Sequence, residues 1–420
     1  MKEIPKPLPR LLGRRAREAL RRFPVVVITG ARQTGKTTLV TLSPLSAGRD
    51  FRTFDDLDLL ERARRQPDAL LEEAPRLTLD EVQRVPELLL AIKRAVDRRR
   101  SPGRFLLTGS ANLLMMRRVS ESLAGRAVYL DLWPMTEAEK EGRPEAARWS
   151  ALLAARNASV AREALGPGGP LADWAGRTLA GGYPEVALDR DPSARADWFD
   201  GYVRTYLERD LQDVASISAL ADFRRLMRLA ALRIGAVLNQ ADLARDADLS
   251  HPTAHRYLNL LETSFQVVRV PAFARSRTKR LVKSPKLYWG DTGLAAHLAG
   301  MATPGQLESS PLAGPLFENL VLAQLLAWRE TASPRPEIGF WRTVPGEEVD
   351  FVVERGSRLL PIEVKLGSRV SLSDARGLEA FLEEHPGDAP FGMLLYNGAE
   401  SAFLTRRVLA APLRSVLGVE

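Results

Sequence analysis

The chain has 420 residues, enough for two or three domains that each bury a core. Its content of 45% hydrophobic and 27% charged residues is typical of a globular protein and excludes a disordered chain as the starting assumption. Zero cysteines exclude disulfides and thiolate-bound metals, so a metal site is expected to use carboxylate oxygens. The 60 Lys and Arg against 52 Asp and Glu suit a polyanionic partner such as nucleic acid, although a generally basic proteome gives the same balance.

Nothing in the sequence predicts a membrane segment. No apolar run approaches the ~18 residues that a membrane-spanning helix needs. The basic N-terminus is not followed by the apolar core of a signal peptide. We therefore expect a cytoplasmic protein without membrane contact.

Strand-like and helical stretches alternate in the first third of the chain. The strand-like runs are VVVIT (25–29), RTF (52–54), RLTLDE (76–81), RFLLTGS (104–110) and AVYLDL (127–132). Strands interleaved with helices are typical of βαβ units, so this segment is predicted to be an α/β domain with a parallel sheet.

GARQTGKTT, between the first strand and a helix, matches the phosphate-binding P-loop pattern G-x-x-x-x-G-K-[ST]. The glycines allow backbone N–H groups to surround phosphates, Lys36 reaches the β- and γ-phosphates, and Thr37 can ligate Mg²⁺. The predicted ATP-binding residues of this loop are Gly30, Ala31, Arg32, Gln33, Thr34, Gly35, Lys36, Thr37 and Thr38.

Three further positions fit this site. Asp80 ends a predicted strand, where an aspartate holds the Mg²⁺ shell, and Glu81 can polarise the attacking water; exposed acids at a strand end are the alternative. Ser110 or Asn112 can sense the γ-phosphate or simply cap a strand. Arg126 can stabilise the transition state in cis or from a neighbouring subunit, although most arginines lie on solvated faces.

The segment NQADLARDADLSHPTAHRYLNLLET (239–263) is typical of a helix-turn-helix. Its second helix would present His251, Thr253, His255 and Arg256 to DNA. The following strand and basic turn would form a wing, in which Lys279, Arg280, Lys283 and Lys286 neutralise phosphates. A lid or a subunit contact is the alternative role for this module.

A second candidate site lies near the C-terminus, in PIEVKLG (361–367). Glu363 and Lys365 share one face of a predicted strand, and a turn at Gly356 would bring Asp350 beside Glu363. Glu318, in the preceding helix, would complete the set. Such carboxylates hold Mg²⁺ or Mn²⁺ against a phosphodiester while the lysine orients water, but E-x-K alone is equally an ordinary strand.

Several motifs together resemble a known family, the bacterial and archaeal AAA-type ATPases with a C-terminal domain of unknown function. They are GARQTGKTT, LDEVQ, LLTGSAN, SLAGR, WPMTEAE, GGYPEV, YLERDL, WGDTGL, EVDF and PIEVK. The resemblance implies an AAA-like ATPase core, a winged-helix-like middle module and a C-terminal α/β domain similar to the restriction-endonuclease fold. It also implies arginine-finger or sensor roles for Arg126 and Arg209, and the four acidic-site residues follow the order of restriction-endonuclease-like sites.

The predicted boundaries are 1–140 for the ATPase core, 141–200 for a helical lid or linker, 201–302 for the winged-helix-like module and 303–420 for the endonuclease-like domain. The leading hypothesis is a Mg²⁺-dependent, homo-oligomeric ATPase that acts on DNA and carries a nuclease-like domain. The alternatives are a nucleotide-gated regulatory or scaffold protein that binds a partner without cleavage, and an endonuclease gated by ATP.

Overall fold

The structure is a computed structural model, which describes residues 7–42, 44–110, 123–145, 147–189, 191–205, 220–344 and 346–419.

A five-stranded parallel sheet forms the centre of the N-terminal domain. Its strands are β1 (Val25–Thr29), β2 (Asp50–Thr53), β3 (Leu77–Asp80), β4 (Phe105–Thr108) and β5 (Ala127–Asp131), in the spatial order β2-β3-β4-β1-β5. The helices around it are α1 (Leu12–Leu20), α2 (Lys36–Thr41), α3 (Leu57–Arg65), α4 (Pro67–Glu72) and α5 (Leu88–Arg98). All five predicted strands are confirmed, with ends that differ by one or two residues.

The central strand β1 is buried along its whole length because helices cover both faces of the sheet. Val25 and Val27 pack in the core that includes α5, while Val26 and Ile28 pack in the core that includes α1 and α2. This double packing explains the continuous apolar run VVVIT. It also fixes the position of the C-terminal end of β1, where the P-loop begins.

Short helices connect this sheet to the middle of the chain. They are α6 (Glu137–Lys140), α7 (Trp149–Ala154), α8 (Ala158–Glu163), α9 (Trp174–Ala180), α10 (Pro184–Ala187) and α11 (Pro192–Tyr202). The middle module contains α12 (Leu220–Ala231), α13 (Gln240–Asp246), α14 (His251–Thr263), β6 (Val267–Val270), α15 (Arg277–Val282) and β7 (Lys286–Trp289). Strands β6 and β7 are antiparallel.

The two helices predicted in the 239–263 segment are present as α13 and α14. Ser250 caps α14, since its side chain accepts a hydrogen bond from the backbone N–H of Thr253. Tyr257, Leu258 and Leu261 are buried, as expected. The predicted basic turn is different from the expectation, because it contains the short helix α15.

The C-terminal part is a mixed sheet packed between helices. Its helices are α16 (Thr292–Leu298), α17 (Pro304–Glu308), α18 (Ala313–Arg329), α19 (Arg376–Glu384) and α20 (Leu413–Leu417). Its strands are β8 (Glu337–Arg342), β9 (Glu348–Arg355), β10 (Arg358–Lys365), β11 (Gly392–Tyr396), β12 (Ala402–Phe403) and β13 (Val408–Pro412). The predicted antiparallel meander β8-β9-β10 is confirmed, but the sheet continues through β11 and β13, which run parallel to β10.

One apolar core runs through the middle and C-terminal regions. It includes Tyr257, Trp289, Phe317 and Met393, which come from both sides of the predicted boundary near residue 303. That boundary therefore stays a prediction, since packing does not separate the two segments. In the described part of the chain, no helix combines the length and the apolarity needed to cross a bilayer.

Candidate functional site

The P-loop lies between β1 and α2, at the edge of the sheet where the parallel strands end. Gly30 and Gly35 have φ angles of 142° and 86°, in the region that favours glycine. A Cβ atom at Gly30 would lie 2.3 Å from the backbone oxygen of Leu132, so the loop can approach β5 only with glycine at this position. The sequence motif thus has the local backbone that it requires.

Lys36 is a buried cation inside this loop. Its Nζ donates hydrogen bonds to the backbone oxygens of Ala31 (2.7 Å) and Gly30 (3.3 Å). Burial lowers the pKa of Lys36 to about 8, against the opposing effect of Glu81 and Asp80. Among the described residues no carboxylate bonds this ammonium directly, so the loop holds a cation that is suited to bind an anion.

Asp80 ends β3 and is 2% exposed. Its carboxylate accepts hydrogen bonds from Thr37 Oγ1 at 3.0 and 3.2 Å, and another from Thr108 Oγ1. β1, β3 and β4 bring these groups together because the carboxyl ends of parallel strands meet at one edge. A hydroxyl and a carboxylate beside a phosphate-binding loop fit Mg²⁺, and Thr37 and Asp80 are the residues that would hold it.

Glu81 follows Asp80 with a left-handed φ of 56°. Its backbone N–H donates to Thr108 Oγ1 at 3.4 Å, and its carboxylate accepts from Gln83. Burial raises the pKa of Glu81. Ser110 is also buried, two residues beyond the end of β4. The structure thus places both predicted residues at the P-loop edge of the sheet, whereas Asn112 lies outside the described residues.

Sequence reasoning missed an arginine that braces the P-loop. Arg10 donates to the backbone oxygens of Thr34 and Trp133, each at 2.7 Å, and pairs with Glu139 at 3.1 Å. Glu139 is held in turn by a capping box with Thr136. No sequence signal distinguishes Arg10 from the other basic residues, because its partners are distant in the chain.

Buried polar contacts also connect the P-loop to the middle module. Tyr202 donates to the backbone oxygen of Arg32 at 3.4 Å, and Gln266, just before β6, donates to Tyr202 at 3.2 Å. The backbone N–H of Gly290, just after β7, donates to the Gln266 backbone oxygen at 2.8 Å. A continuous chain of hydrogen bonds therefore runs from the loop to the end of β7.

The GGYPEV and WGDTGL motifs meet at this place. Asp291 accepts from the backbone N–H of Gly182 at 2.6 Å, and Pro184 lies over Gly35, where an added Cβ would be 3.6 Å from its ring. These two motifs contributed only to the family resemblance in the sequence. In the structure, the GGYPEV loop covers the P-loop at Pro184. Asp291 of the WGDTGL motif attaches the end of β7 to this loop.

Arg126 lies at the opposite edge of the sheet from the P-loop. It directly precedes β5, and Ala127 pairs with Val25 at the start of β1. The five residues of β1 separate this level from the P-loop by roughly 16 Å, at about 3.3 Å per residue. Arg126 forms two hydrogen bonds with Asp97, at 2.6 and 2.9 Å. A cis role at the nucleotide of its own chain is therefore wrong, and Arg209 lies outside the described residues.

The predicted DNA-contacting residues of α14 are on the surface. His255 is exposed and hydrogen-bonds Gln240 and Asn259, while Arg256 is exposed beside the ring of Tyr257. Thr253 is partly buried at the start of the helix. His251, the first residue of the helix, is exposed as well, so the helix presents two histidines and one arginine to a ligand.

The predicted wing differs from the expectation at two of its four cations. Arg280 turns inward, where it pairs with Glu354 and lies 4.4 Å from the ring centroid of Phe273. Lys286 is 3% exposed. Assigning these two side chains to DNA phosphates was therefore wrong. Lys283 is exposed, and the side chain of Lys279 lies outside the described residues.

Lys286 instead lies in the C-terminal acidic cluster. Its Nζ is 3.2 Å from Glu318 and 3.3 Å from Asp350, and it also pairs with Glu348. Burial alone would lower the pKa of Lys286, but the three carboxylates raise it above its ordinary value. The middle module thus supplies a cation to the residues that were predicted to bind a metal.

Glu363 lies beside this cluster and has a different partner. Its Oε1 is 2.6 Å from Nζ of Lys365, while its buried Oε2 has no hydrogen-bond partner in the part of the chain that the structure describes. Asp350 is directed toward the same strand by a hydrogen bond from the backbone N–H of Val364 at 2.9 Å. Burial and the charge of Asp350 raise the pKa of Glu318 and of Glu363, each to about 8.

The four predicted residues are therefore neighbours but do not form a metal site. Among the described residues, no group of three or more acidic, histidine or cysteine side chains is arranged to hold a metal ion. Lys286 already provides a positive charge between Glu318 and Asp350. This arrangement does not fit Mg²⁺ or Mn²⁺.

Comparisons with known proteins match three segments of the chain. A profile described as an AAA domain matches residues 22–140. Two domains of unknown function, DUF8612 and DUF4143, match residues 171–305 and 313–416. The AAA match agrees with the P-loop geometry and confirms the resemblance to AAA-type ATPases in its nucleotide-binding part. The restriction-endonuclease fold stays a prediction.

Two curated relatives resemble most of the chain. The uncharacterised proteins Rv2008c of Mycobacterium tuberculosis and Mb2031c of Mycobacterium bovis are each 35% identical over 361 residues, which cover 86% of this chain and 74% of theirs. The similarity therefore extends well beyond the AAA domain.

Solved structures resemble the chain more remotely. A Walker-type ATPase of Pyrococcus abyssi is 15% identical and has a TM-score of 0.43, covering 68% of this chain and 94% of that protein. The DNA clamp loader delta protein of Bacillus subtilis is 11% identical with a TM-score of 0.25, covering 74% and 99%. Scores below 0.5 do not establish a shared overall fold.

The lowered pKa of Lys36 predicts that ATP affinity depends on pH. Below about pH 8 the ammonium is already charged, whereas above it ATP binding must be coupled to proton uptake. We expect affinity to fall by up to about tenfold per pH unit above about pH 8. Calorimetry at about pH 9, in buffers of different ionisation enthalpy, should show uptake of close to one proton.

The matched control is Lys36→Arg, in which the guanidinium stays charged and proton uptake should disappear. An ATP affinity that is constant from about pH 7 to 9 in the wild-type protein would show that Lys36 does not have this lowered pKa.

Proposed function

This chain belongs to the same family as the uncharacterised mycobacterial proteins Rv2008c and Mb2031c, and from its AAA domain we propose that it is a Mg²⁺-dependent ATPase that acts on DNA. The observation that carries the ATPase assignment is the arrangement of Lys36, Thr37 and Asp80 at one sheet edge. These groups provide a cation for the phosphates beside a hydroxyl and a carboxylate for Mg²⁺.

Each residue of this site has a distinct task in the proposal. Lys36 exchanges its bonds to loop carbonyls for the β- and γ-phosphates, and the N–H groups of the loop surround the phosphate oxygens. Glu81 orients the attacking water, and Ser110 contacts the γ-phosphate. Bound Mg²⁺ supplies charge that stabilises the phosphoryl group during transfer.

Action on DNA is supported by the middle module. The order of α12, α13 and α14, followed by β6, α15 and β7, is compatible with the proposed winged-helix-like module. Its exposed His255, Arg256 and Lys283 are available for contact with DNA. The net charge of +8 favours the same partner.

Oligomerisation is the second part of the proposal. Arg126 is too far from its own P-loop to act in cis, so its finger role requires a neighbouring copy of the chain. Release from Asp97 would then accompany assembly. Arg209 remains a candidate sensor through the family resemblance alone.

A nucleotide-gated regulatory protein is a specific second candidate, and Lys286 favours it. The mixed sheet with flanking α18 and α19 is compatible with a restriction-endonuclease-like fold. However, a lysine between Glu318 and Asp350 provides the charge that a catalytic metal would otherwise supply. In this reading the C-terminal domain binds a partner and does not cleave DNA.

The ATPase proposal is tested by ATP turnover with and without linear, forked and junction DNA. We expect at least one DNA form to raise the rate severalfold, and Lys36→Ala to lower the rate about a hundredfold or more. Turnover that no DNA form changes would contradict action on DNA and support the regulatory protein. ATP binding without turnover would contradict the ATPase itself.

The role of Lys286 is tested by Lys286→Ala, with Lys283→Ala as the exposed control. Because removal of Lys286 leaves buried carboxylates without a cation, we expect the free energy of unfolding to fall by about 3–5 kcal/mol. The control should change it by less than about 0.5 kcal/mol. Urea unfolding, with and without Mn²⁺, gives these values, and Mn²⁺ should partly restore only the Lys286→Ala protein.

Two results would oppose this assignment. One is an unchanged free energy of unfolding in Lys286→Ala. The other is Mn²⁺-dependent DNA cleavage by the wild-type protein that Asp350→Asn abolishes, since this would show a working metal site despite Lys286.

A further inference from the structure

A surface rich in arginine lies at the edge of the parallel sheet opposite the P-loop. Two grooves of about 610 and 380 Å³ open there and share Arg76 in their walls. Their arginines include Arg49, Arg76 and Arg104, each of which directly precedes β2, β3 or β4. Since parallel strands all begin at this edge, the sheet topology places the three arginines side by side. We call the six residues Arg17, Arg21, Arg49, Arg76, Arg99 and Arg104 the basic surface.

Four members of the basic surface have no acidic partner. Arg17, Arg21, Arg76 and Arg99 are exposed, and none forms an ion pair with a carboxylate in the described ranges of the chain. On the same domain other exposed arginines are paired, such as Arg84 with Asp55 and Arg94 with Asp68, whereas Arg22, Arg64 and Arg100 are exposed without an ion pair in the described ranges. What distinguishes the basic surface is that its unpaired arginines line two adjoining grooves.

The two partly buried members are held by neutral groups. Arg49 donates to the backbone oxygen of Gly103 at 2.6 Å and to Thr78 Oγ1 at 3.0 Å. Arg104 donates to the backbone oxygen of Ala95 at 2.8 Å. Carbonyl and hydroxyl oxygens orient a guanidinium without cancelling its charge. These contacts therefore fix the position of two cations and leave the surface positive.

The arginines also repel one another across this surface. Burial, with the nearby charge of Arg76, lowers the pKa of Arg49 to about 10. Burial lowers the pKa of Arg104 as well; Glu72 opposes this shift and Arg99 adds to it. Glu72 is the acidic residue that lines the larger groove. Repulsion between these arginines destabilises the free protein. Binding of a polyanion would relieve that repulsion.

We propose that the basic surface binds the phosphate backbone of nucleic acid. The cations extend across two adjoining grooves, which suits a chain of regularly spaced phosphates better than one small anion. Guanidinium groups form two parallel hydrogen bonds to phosphate, and their contacts carry no sequence information. This inference rests on the proposed action on DNA and adds a second DNA surface, separate from α14.

The test measures fluorescence anisotropy of labelled duplex and single-stranded DNA of random sequence over a range of KCl concentrations. The variant combines Arg17→Gln, Arg21→Gln, Arg76→Gln and Arg99→Gln. We expect at least tenfold weaker binding at about 0.1 M salt, and a duplex salt slope reduced by about 2 to 4, at ~0.9 per lost phosphate contact.

The matched control removes the same charge from four exposed, paired arginines of the same domain: Arg14→Gln, Arg65→Gln, Arg84→Gln and Arg94→Gln. Its affinity should fall less than threefold, and ATP turnover without DNA should be unchanged in both variants. Equal weakening of the two variants would overturn the proposal, because net charge alone would then explain binding.

A second arm distinguishes nucleic acid from an acidic protein partner. If the basic-surface variant binds DNA like the wild type but loses a polyglutamate peptide, the partner is acidic protein and the proposal is wrong. The outcome is separate from that of the ATPase proposal: DNA binding that depends on this surface without DNA-stimulated turnover would retain the surface and reject only the DNA-dependent activity.

Discussion

The buried ammonium of Lys286 connects the middle module to the C-terminal region. It belongs to β7 of the middle module, yet its partners are Glu318, Glu348 and Asp350 of the C-terminal region. Taking the ammonium and the carboxylates of Glu318 and Asp350 largely out of water is costly unless they remain together, and Glu348 joins them from a half-buried position. The cluster therefore holds β7 against α18 and β9, beside the apolar core that the middle and C-terminal regions share.

The other end of β7 reaches the nucleotide site. Asp291, two residues beyond the strand, accepts from the backbone of Gly182, whose loop continues over the P-loop at Pro184. Tyr202 connects the carbonyl of Arg32 to the same region. Strand β7 thus contacts the acidic cluster at Lys286, its first residue. Just beyond its last residue, Asp291 contacts the Gly182 loop that lies over the P-loop. This continuity is the structural observation that supports the proposed nucleotide-gated alternative.

Much of the nucleotide site could be predicted because its determinants are local. The P-loop is a contiguous motif, and Asp80 is recognisable as the polar end of an apolar strand. Thr108 ends the neighbouring strand, and the same rule could have identified it. Arg10 could not be found this way, because its partners Thr34 and Glu139 come from distant segments.

The C-terminal site was predicted less completely for a related reason. The order of Glu318, Asp350 and Glu363 correctly placed three acids near one another. Sequence order does not reveal a cation that another module contributes, and the sequence places Lys286 in a predicted basic turn. Its burial follows from the packing of β7 against α18 and β9, which alternation of residue types alone does not specify.

Hydrogen exchange with and without ATP and Mg²⁺ tests most directly whether the nucleotide site and β7 form one unit. We expect slower amide exchange in residues 30–41 and also in residues 286–294, with neither change in Lys36→Ala. Protection confined to residues 30–41 would contradict the coupling, because the nucleotide would then bind without affecting the strand that carries Lys286.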